Sequence, residues 1–297
     1  MERKFTLSCC STVDMPYSYV SGRDIPVLFY TYTVDGQTYD DDMGRDPTAL
    51  DRFYGFLKEG KLPQTSQLNV VNYLEFFESL LQKGGDVLHI GFSSGQSGSI
   101  HNAFLAAREL AEKYPNQRLV VIDSLCSSSG YGMLVDYAAD LRDEGKTLEE
   151  VHEWAENNKL HLHHWFFSTD LTFYVRGGRI SKAAGWFGTV LKICPLLNMD
   201  DLGRLIPREK IRGKNKVIRA IVDAMAQHAE DGENYSGKCY VCHSACLQDA
   251  QAVAQLVEER FPHLNGNVEI YSVGTTIGSH TGPGTVALFF FGDERVR

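Results

Sequence analysis

The order of segments along the 297 residues predicts an α/β fold whose N-terminal part carries a largely parallel sheet. Two observations support this. Up to about residue 158, apolar runs of strand length alternate with segments of helical period. The turns after several of those runs are rich in Gly, Ser and Thr, as at the strand–helix junctions of α/β sheets. Length favours two domains over one. A charged connection at Gly145-Lys146-Thr147, followed by a helical stretch over 148–158, sets them at 1–158 and 159–297.

Taken in order, 4–9 reads as a first strand and Ser11-Thr12 as the turn after it. The β-branched and aromatic run 26–33 is a strand, with Asp35-Gly36 as a hairpin turn before Gln37-Thr38-Tyr39. Asp46-Pro47 marks a helix start, with Leu50, Phe53, Tyr54 and Leu57 on one face. Residues 63–67 form a polar turn, and 70–81 repeats at helical spacing. The stretch 86–98 is a strand that breaks into a Gly/Ser loop and opens a helix, with Ile100, Phe104, Leu105 and Ala107 expected on its buried side. A buried strand follows at 118–123, then a Ser-rich turn at 124–130 and a helix to about Arg142. In the second half, strands are expected at 161–167, 192–197, 238–243, 267–273 and 286–291. Helices are expected at 214–230 and 247–261, and turns at 176–182, 198–205 and 279–284.

With 43% hydrophobic and 23% charged residues the chain is globular in composition. A net charge of −9 argues against a nucleic-acid surface, which requires a basic footprint. No apolar run approaches the roughly 20 residues that span a bilayer. The start lacks the apolar core of a signal peptide, so a cytoplasmic protein without membrane insertion is expected. Seven cysteines, an odd number, fit reduced thiols better than a disulfide framework.

The loop Ser93-Ser94-Gly95-Gln96-Ser97-Gly98 is the central candidate site, because backbone N–H groups and hydroxyls converge where its helix begins. An ordinary βα loop with a serine cap has the same pattern. Four hydroxyl-rich turns (11–12, 65–66, 93–97 and 124–129) lie on connections that an open sheet gathers at one edge, so Thr65 and Ser97 can share a site. A serine hydrolase using Ser97 with His280 is the enzymatic alternative, although the loop is not Gly-x-Ser-x-Gly. The basic run 176–182, with Arg208, Lys210, Arg212, Lys214 and Lys216, is either an anion clamp or a solvated surface. Cys239-Tyr240-Val241-Cys242-His243 matches a haem-attachment pattern, with Cys246 extending it to a metal set. On a strand, however, Cys239 and Cys242 face opposite sides, so buried thiols are expected. His161 and His163 share a strand face, and a structural role is favoured for them.

In this order, Thr65-Ser66-Gln67, the 93–98 loop, Asp123-Ser124, Gly177-Gly178-Arg179-Ile180-Ser181, Leu191-Lys192-Ile193-Cys194-Pro195, Arg212 and His280-Thr281-Gly282-Pro283-Gly284 resemble the DegV family of bacterial fatty-acid-binding proteins. That family includes the acyl-carrier subunits of fatty acid kinase. The resemblance spans nearly the whole chain. It implies two α/β domains with a ligand tunnel between them, and a long-chain fatty acid as ligand with no other cofactor and no metal. It places the carboxylate at Thr65 and Ser97, with Ser94 beside them shaping the turn and Arg212 and His280 near the head group. Arg179 is assigned to domain packing or partner docking. The chain is expected to be a carrier rather than an enzyme, its partner a separate ATP-dependent fatty acid kinase. The absence of a Gly-x-x-x-x-Gly-Lys-Ser/Thr loop agrees with ATP being bound elsewhere. Cys10-Ser11-Thr12 stands where Asp-Ser-Thr is usual, Gln96 where an apolar residue is usual, and Cys194 where lysine is frequent.

Overall fold

The structure, a computed structural model, describes residues 4–181 and 193–297. The first half runs β1 (Phe5–Cys10), α1 (Tyr17–Gly22), β2 (Val27–Leu28), β3 (Thr31–Val34), β4 (Gln37–Asp40), α2 (Ala49–Lys58), β5 (Gln64–Ser66), α3 (Val70–Leu81), β6 (Asp86–Gly91), α4 (Ser99–Lys113), β7 (Leu119–Asp123), α5 (Ser128–Asp143) and α6 (Leu148–Asn158). The second half runs β8 (Leu162–Ser168), α7 (Thr172–Arg176), β9 (Ile193–Met199), β10 (Leu205–Arg212), α8 (Lys214–His228), β11 (Tyr240–His243), α9 (Leu247–Arg260), β12 (Glu269–Ser272), α10 (Thr275–Thr281) and β13 (Thr285–Phe291).

Among these residues the fold is mixed α/β, with three sheets. The N-terminal sheet has the order β2-β1-β6-β7, and every pair is parallel. Parallel strands need covering on both faces, which is why β1 and β6 are almost wholly buried. The strand order reverses at β1, so the loops after β1 and β6 diverge and leave a crevice at their carboxyl ends. A six-stranded sheet, β10-β9-β8-β13-β11-β12, is antiparallel except for its last pair. A small antiparallel sheet, β4-β3-β5, comes from the N-terminal half yet packs on α10, and Phe173 of α7 closes its own apolar cluster of Tyr32, Phe53 and Tyr54.

Several expectations need correction. α4 buries Ile100, Ala103, Ala106 and Leu110, whereas Phe104 is 44% and Leu105 53% exposed. The small alanines let the helix lie close on the sheet, which rotates the large residues outward. Residues 205–212 are a strand: β10 is an edge strand with a bulge between Pro207 and Glu209, and its charges and proline are what an edge tolerates. Residues 275–281 form α10 where a turn was expected at 279–284, and 64–66 are a short edge strand. α2 starts at Ala49, because Asp46 accepts hydrogen bonds from the Thr48 N–H and hydroxyl and holds Pro47 outside the helix. The helices α1 and α7, each of six residues or fewer, are too short to show a period. Lys182 and the Leu191-Lys192 pair lie outside the described residues.

Buried histidines give the fold a defined acid response. His89, wholly enclosed between Ser8 and Cys10 and against Tyr73 and Phe77, is pushed down to about 3 by burial. Burial also takes His163 down to about 4 and His164 well below its ordinary value. The unfolded chain accepts these protons below about pH 6.5, whereas the folded chain refuses them until far lower. Stability is therefore lost as pH falls from about 6.5 towards 4. His89→Asn removes one such site. The stability gap between parent and variant, measured by urea unfolding, should narrow by about 2 kcal/mol from pH 7 to pH 5. A gap that does not change would mean that His89 carries no proton linkage.

Candidate functional site

A cleft of about 600 Å³ opens where β5, the 93–98 loop, α7 and α10 meet. Thr65 enters from edge strand β5, paired through β3 at Tyr32. Ser97 enters from the loop between β6 and α4, and His280 from α10. The structure therefore brings together three residues far apart in sequence.

Asp41, 2% exposed, fixes α10. Its carboxylate accepts from the Thr275 N–H at 2.9 Å, the Thr275 hydroxyl at 2.8 Å and the Ser11 hydroxyl at 3.0 Å. A carboxylate at the start of a helix satisfies its first N–H groups and favours its positive end. One turn further on, Gly278 lies so close to Phe53 that a Cβ would stand 2.8 Å from the ring. Both contacts set the direction of His280.

The His280 Nε2 lies 2.7 Å from Thr65 Oγ1. Burial, with the Arg179 and Arg176 charges adding to it, takes the imidazole down to about 4, so the ring is neutral at pH 7. In the Nε2–H tautomer it donates to Thr65, whose own proton is then left for the cleft. Its Nδ1 is buried without a partner among the described residues, facing Gly177, where a Cβ would come within 2.5 Å. Ser97 has the same arrangement. Its Oγ accepts from the Ser99 N–H at 3.3 Å and lies 3.0 Å from Ser99 Oγ, which itself accepts from the Leu68 N–H at 3.1 Å. With the Ser99 proton directed at Ser97, the Ser97 hydroxyl is also free to donate into the cleft.

Other candidate residues lie elsewhere. Ser94 does not line the cleft; its N–H donates to Asp123 at 3.1 Å. Ser93 donates to the Gly203 carbonyl at 3.1 Å and accepts from the Gly95 N–H, so it docks the loop onto the turn before β10. Gly203 there has φ +69°, and a Cβ on it would overlap Ser93. Arg212 does not reach the cleft. Leu205 at the start of β10 lines it, but Arg212 is exposed at the other end, roughly 20 Å further along the strand. The arginines on the cleft wall are Arg176 and Arg179, which sequence reasoning left in a basic turn or assigned to packing and docking. Arg179 donates to the Gly177 carbonyl, and Arg176 lies 4.7 Å over the Phe173 ring. Cys239 and Cys242 are buried thiols, and Cys246 donates to the Thr285 carbonyl at 3.2 Å. His163 faces Asp293 and His228, whereas His161 contacts the Gly292 carbonyl.

An apolar crevice of about 50 Å³ continues from the cleft. Gln96, Tyr174, Leu205, Ile277 and Thr281 border both spaces, and Phe166, Met199 and Phe289 enclose the deeper one. The arrangement is a polar mouth rich in O–H donors, with two guanidinium groups, opening on an apolar interior.

Comparison with known proteins places the chain. A family model described as "Uncharacterised protein, DegV family" matches residues 9–293. A DegV domain-containing protein of Clostridium perfringens is 34% identical over 293 residues, 99% of each chain. Among solved structures, a DegV family protein from Thermus thermophilus described for its fatty acid binding superposes with TM-score 0.85 at 27% identity, over 98% of this chain and 100% of that one. A DegV lipid-binding protein from Thermotoga maritima superposes with TM-score 0.83 at 25% identity, over 98% and 99%. With a matching family model over nearly its full length and a relative this similar end to end, the chain belongs to the DegV family.

Proposed function

We propose that the chain is a cytoplasmic carrier for one long-chain fatty acid, with two α/β domains, 1–158 and 159–297, closing on the ligand. The carboxylate sits in the cleft against the Thr65 and Ser97 hydroxyls, and the tail enters the crevice lined by Phe166, Met199, Ile277 and Phe289. The observation that carries this reading is the pair of hydroxyls at the cleft, Thr65 backed by His280 and Ser97 by Ser99; with the protons of those two directed at them, both hydroxyls donate into the cleft. Two donors side by side at the mouth of an apolar space suit an anion with a long apolar body. Arg176 and Arg179 supply the opposite charge at the rim of an otherwise acidic chain. The similarity to the Thermus and Thermotoga proteins supports the same ligand class.

No catalytic step is assigned. The Ser97 hydroxyl is partnered with Ser99 and not with His280, no carboxylate among the described residues orients the His280 Nδ1, and a ring held at about 4 is a weak base at pH 7. In this reading a separate ATP-dependent fatty acid kinase acts on the carboxylate presented at the mouth. Among the described residues no helix is long and apolar enough to cross a membrane.

Two measurements test this. Protein purified from cells should release a fatty acid on organic extraction; lipid-free protein that also fails to take up oleate or palmitate would remove the carrier reading. Each hydroxyl bond to a carboxylate is worth about 1.5–3 kcal/mol, so Thr65→Ala and Ser97→Ala should each weaken fatty-acid binding about 10- to 100-fold. A fatty alcohol of equal length should lose much less. Equal losses for both ligands would put the head group elsewhere.

A further inference from the structure

We infer that Tyr30 is a third head-group residue of the cleft, its phenol donating to the bound anion beside Ser97. This rests on the carboxylate reading of the cleft and adds a group that neither the motifs nor the comparisons assign.

Tyr30 lies between β2 and β3, is 3% exposed and lines the cleft. Its backbone is fixed at both ends. The N–H donates to Ser11 Oγ at 3.0 Å, and the carbonyl accepts from the Asp41 N–H at 2.9 Å. The ring meets Phe92, another cleft residue, edge-on at 6.5 Å. The side chain is thus held in one place, yet its hydroxyl is buried without a hydrogen-bond partner among the described residues.

Buried hydroxyls rarely go unpaired, because losing water without a replacement is costly. The hydroxyls of Ser97, Ser99 and Tyr73 face the phenol, but none completes a hydrogen bond with it, and each is engaged elsewhere. Ser99 accepts from Leu68 and pairs with Ser97, and Tyr73 faces the Cys10 thiol at 3.7 Å. A carboxylate seated on Ser97 brings an acceptor to the unpartnered Tyr30 proton. Burial and the neighbouring Cys10 also push the phenol up, so it stays O–H and acts as a donor. An anionic oxygen with several lone pairs can accept from Thr65, Ser97 and Tyr30 together, whereas a neutral alcohol cannot. The third donor therefore sharpens selection for the acid.

Tyr30→Phe removes only the oxygen and leaves the ring against Phe92. Ligand-free variant should melt no lower than the parent, because the lost hydroxyl had no partner. Its affinity for a long-chain fatty acid should fall about 10- to 100-fold, with a much smaller change for the matching alcohol. The carboxyl resonance of bound ¹³C-labelled fatty acid should also shift. Unchanged fatty-acid affinity in Tyr30→Phe, while Thr65→Ala still weakens it, would overturn the inference and leave the carrier reading intact. Unchanged affinity in both variants would overturn both. A clear loss of stability in the ligand-free variant would show that the phenol has a structural partner, and would also overturn it.

Discussion

The site depends on one buried carboxylate. Asp41 lies just after β4 and holds the start of α10, more than two hundred residues away in sequence, while also accepting from Ser11 at the end of β1. α10 is only seven residues long, too short to be stable through its own hydrogen bonds. It stands because Asp41 caps it and because β3, β5 and α7 pack along it. His280 is in its last turn, so the alignment of ring and threonine is set from the far end of the helix. Ser11 extends the same constraint to Tyr30, whose N–H it accepts. His280 and Tyr30 thus share a single anchor, in a part of the molecule that does not touch the ligand in the proposed reading.

The charge distribution explains why a neutral histidine serves here. Burial is the main cause of its low affinity for protons, and the Arg179 and Arg176 charges add to it. Arginine does not give up its proton in such surroundings, so the rim keeps its positive charge while the imidazole stays uncharged. A neutral ring can donate one hydrogen bond into Thr65 and polarise that hydroxyl without becoming an ion-pair partner itself. The division of labour is then plain. In the proposed reading the guanidinium groups attract the anion, and the hydroxyls fix its orientation at short range.

Much of this was legible in the sequence where the chemistry is local. The strand, loop and helix over 86–113 follow from turn residues and alternation, whereas Thr65 reaches the cleft from β5 of the small antiparallel sheet rather than from a turn of the parallel one. The arginines were not legible in the same way. Arg179 and Arg212 both occur in basic stretches, and only the antiparallel register of β10 on β9 shows that Arg212 runs away from the cleft. Tyr30 had no signal at all, because a tyrosine in a β-branched and aromatic run reads as packing. Its role depends on an unpaired oxygen, which is visible only in three dimensions. α10 carries no helix signal, and the turn expected at 279–284 overlaps its end, because Thr-Thr-Ile-Gly-Ser-His-Thr is poor in helix formers and holds its shape through tertiary contacts.

The balance between tail and head decides what kind of binder the cleft can be. Burying a methylene is worth about 0.8 kcal/mol, so a long tail supplies on the order of 10 kcal/mol, several times any single hydroxyl bond. The walls of the crevice come from different elements. They are unlike in rigidity. Phe166 and Phe289 belong to β8 and β13, paired strands inside the six-stranded sheet, and close packing there resists displacement. Met199 ends β9 and Leu205 begins the edge strand β10, the two paired across the sheet, whereas Ile277 belongs to the short helix α10, which has fewer hydrogen bonds to oppose movement. Any outward shift of Ile277 also moves the helix that carries His280. In the proposed carrier, tail and head group therefore both bear on α10, the tail through Ile277 and the head group through His280.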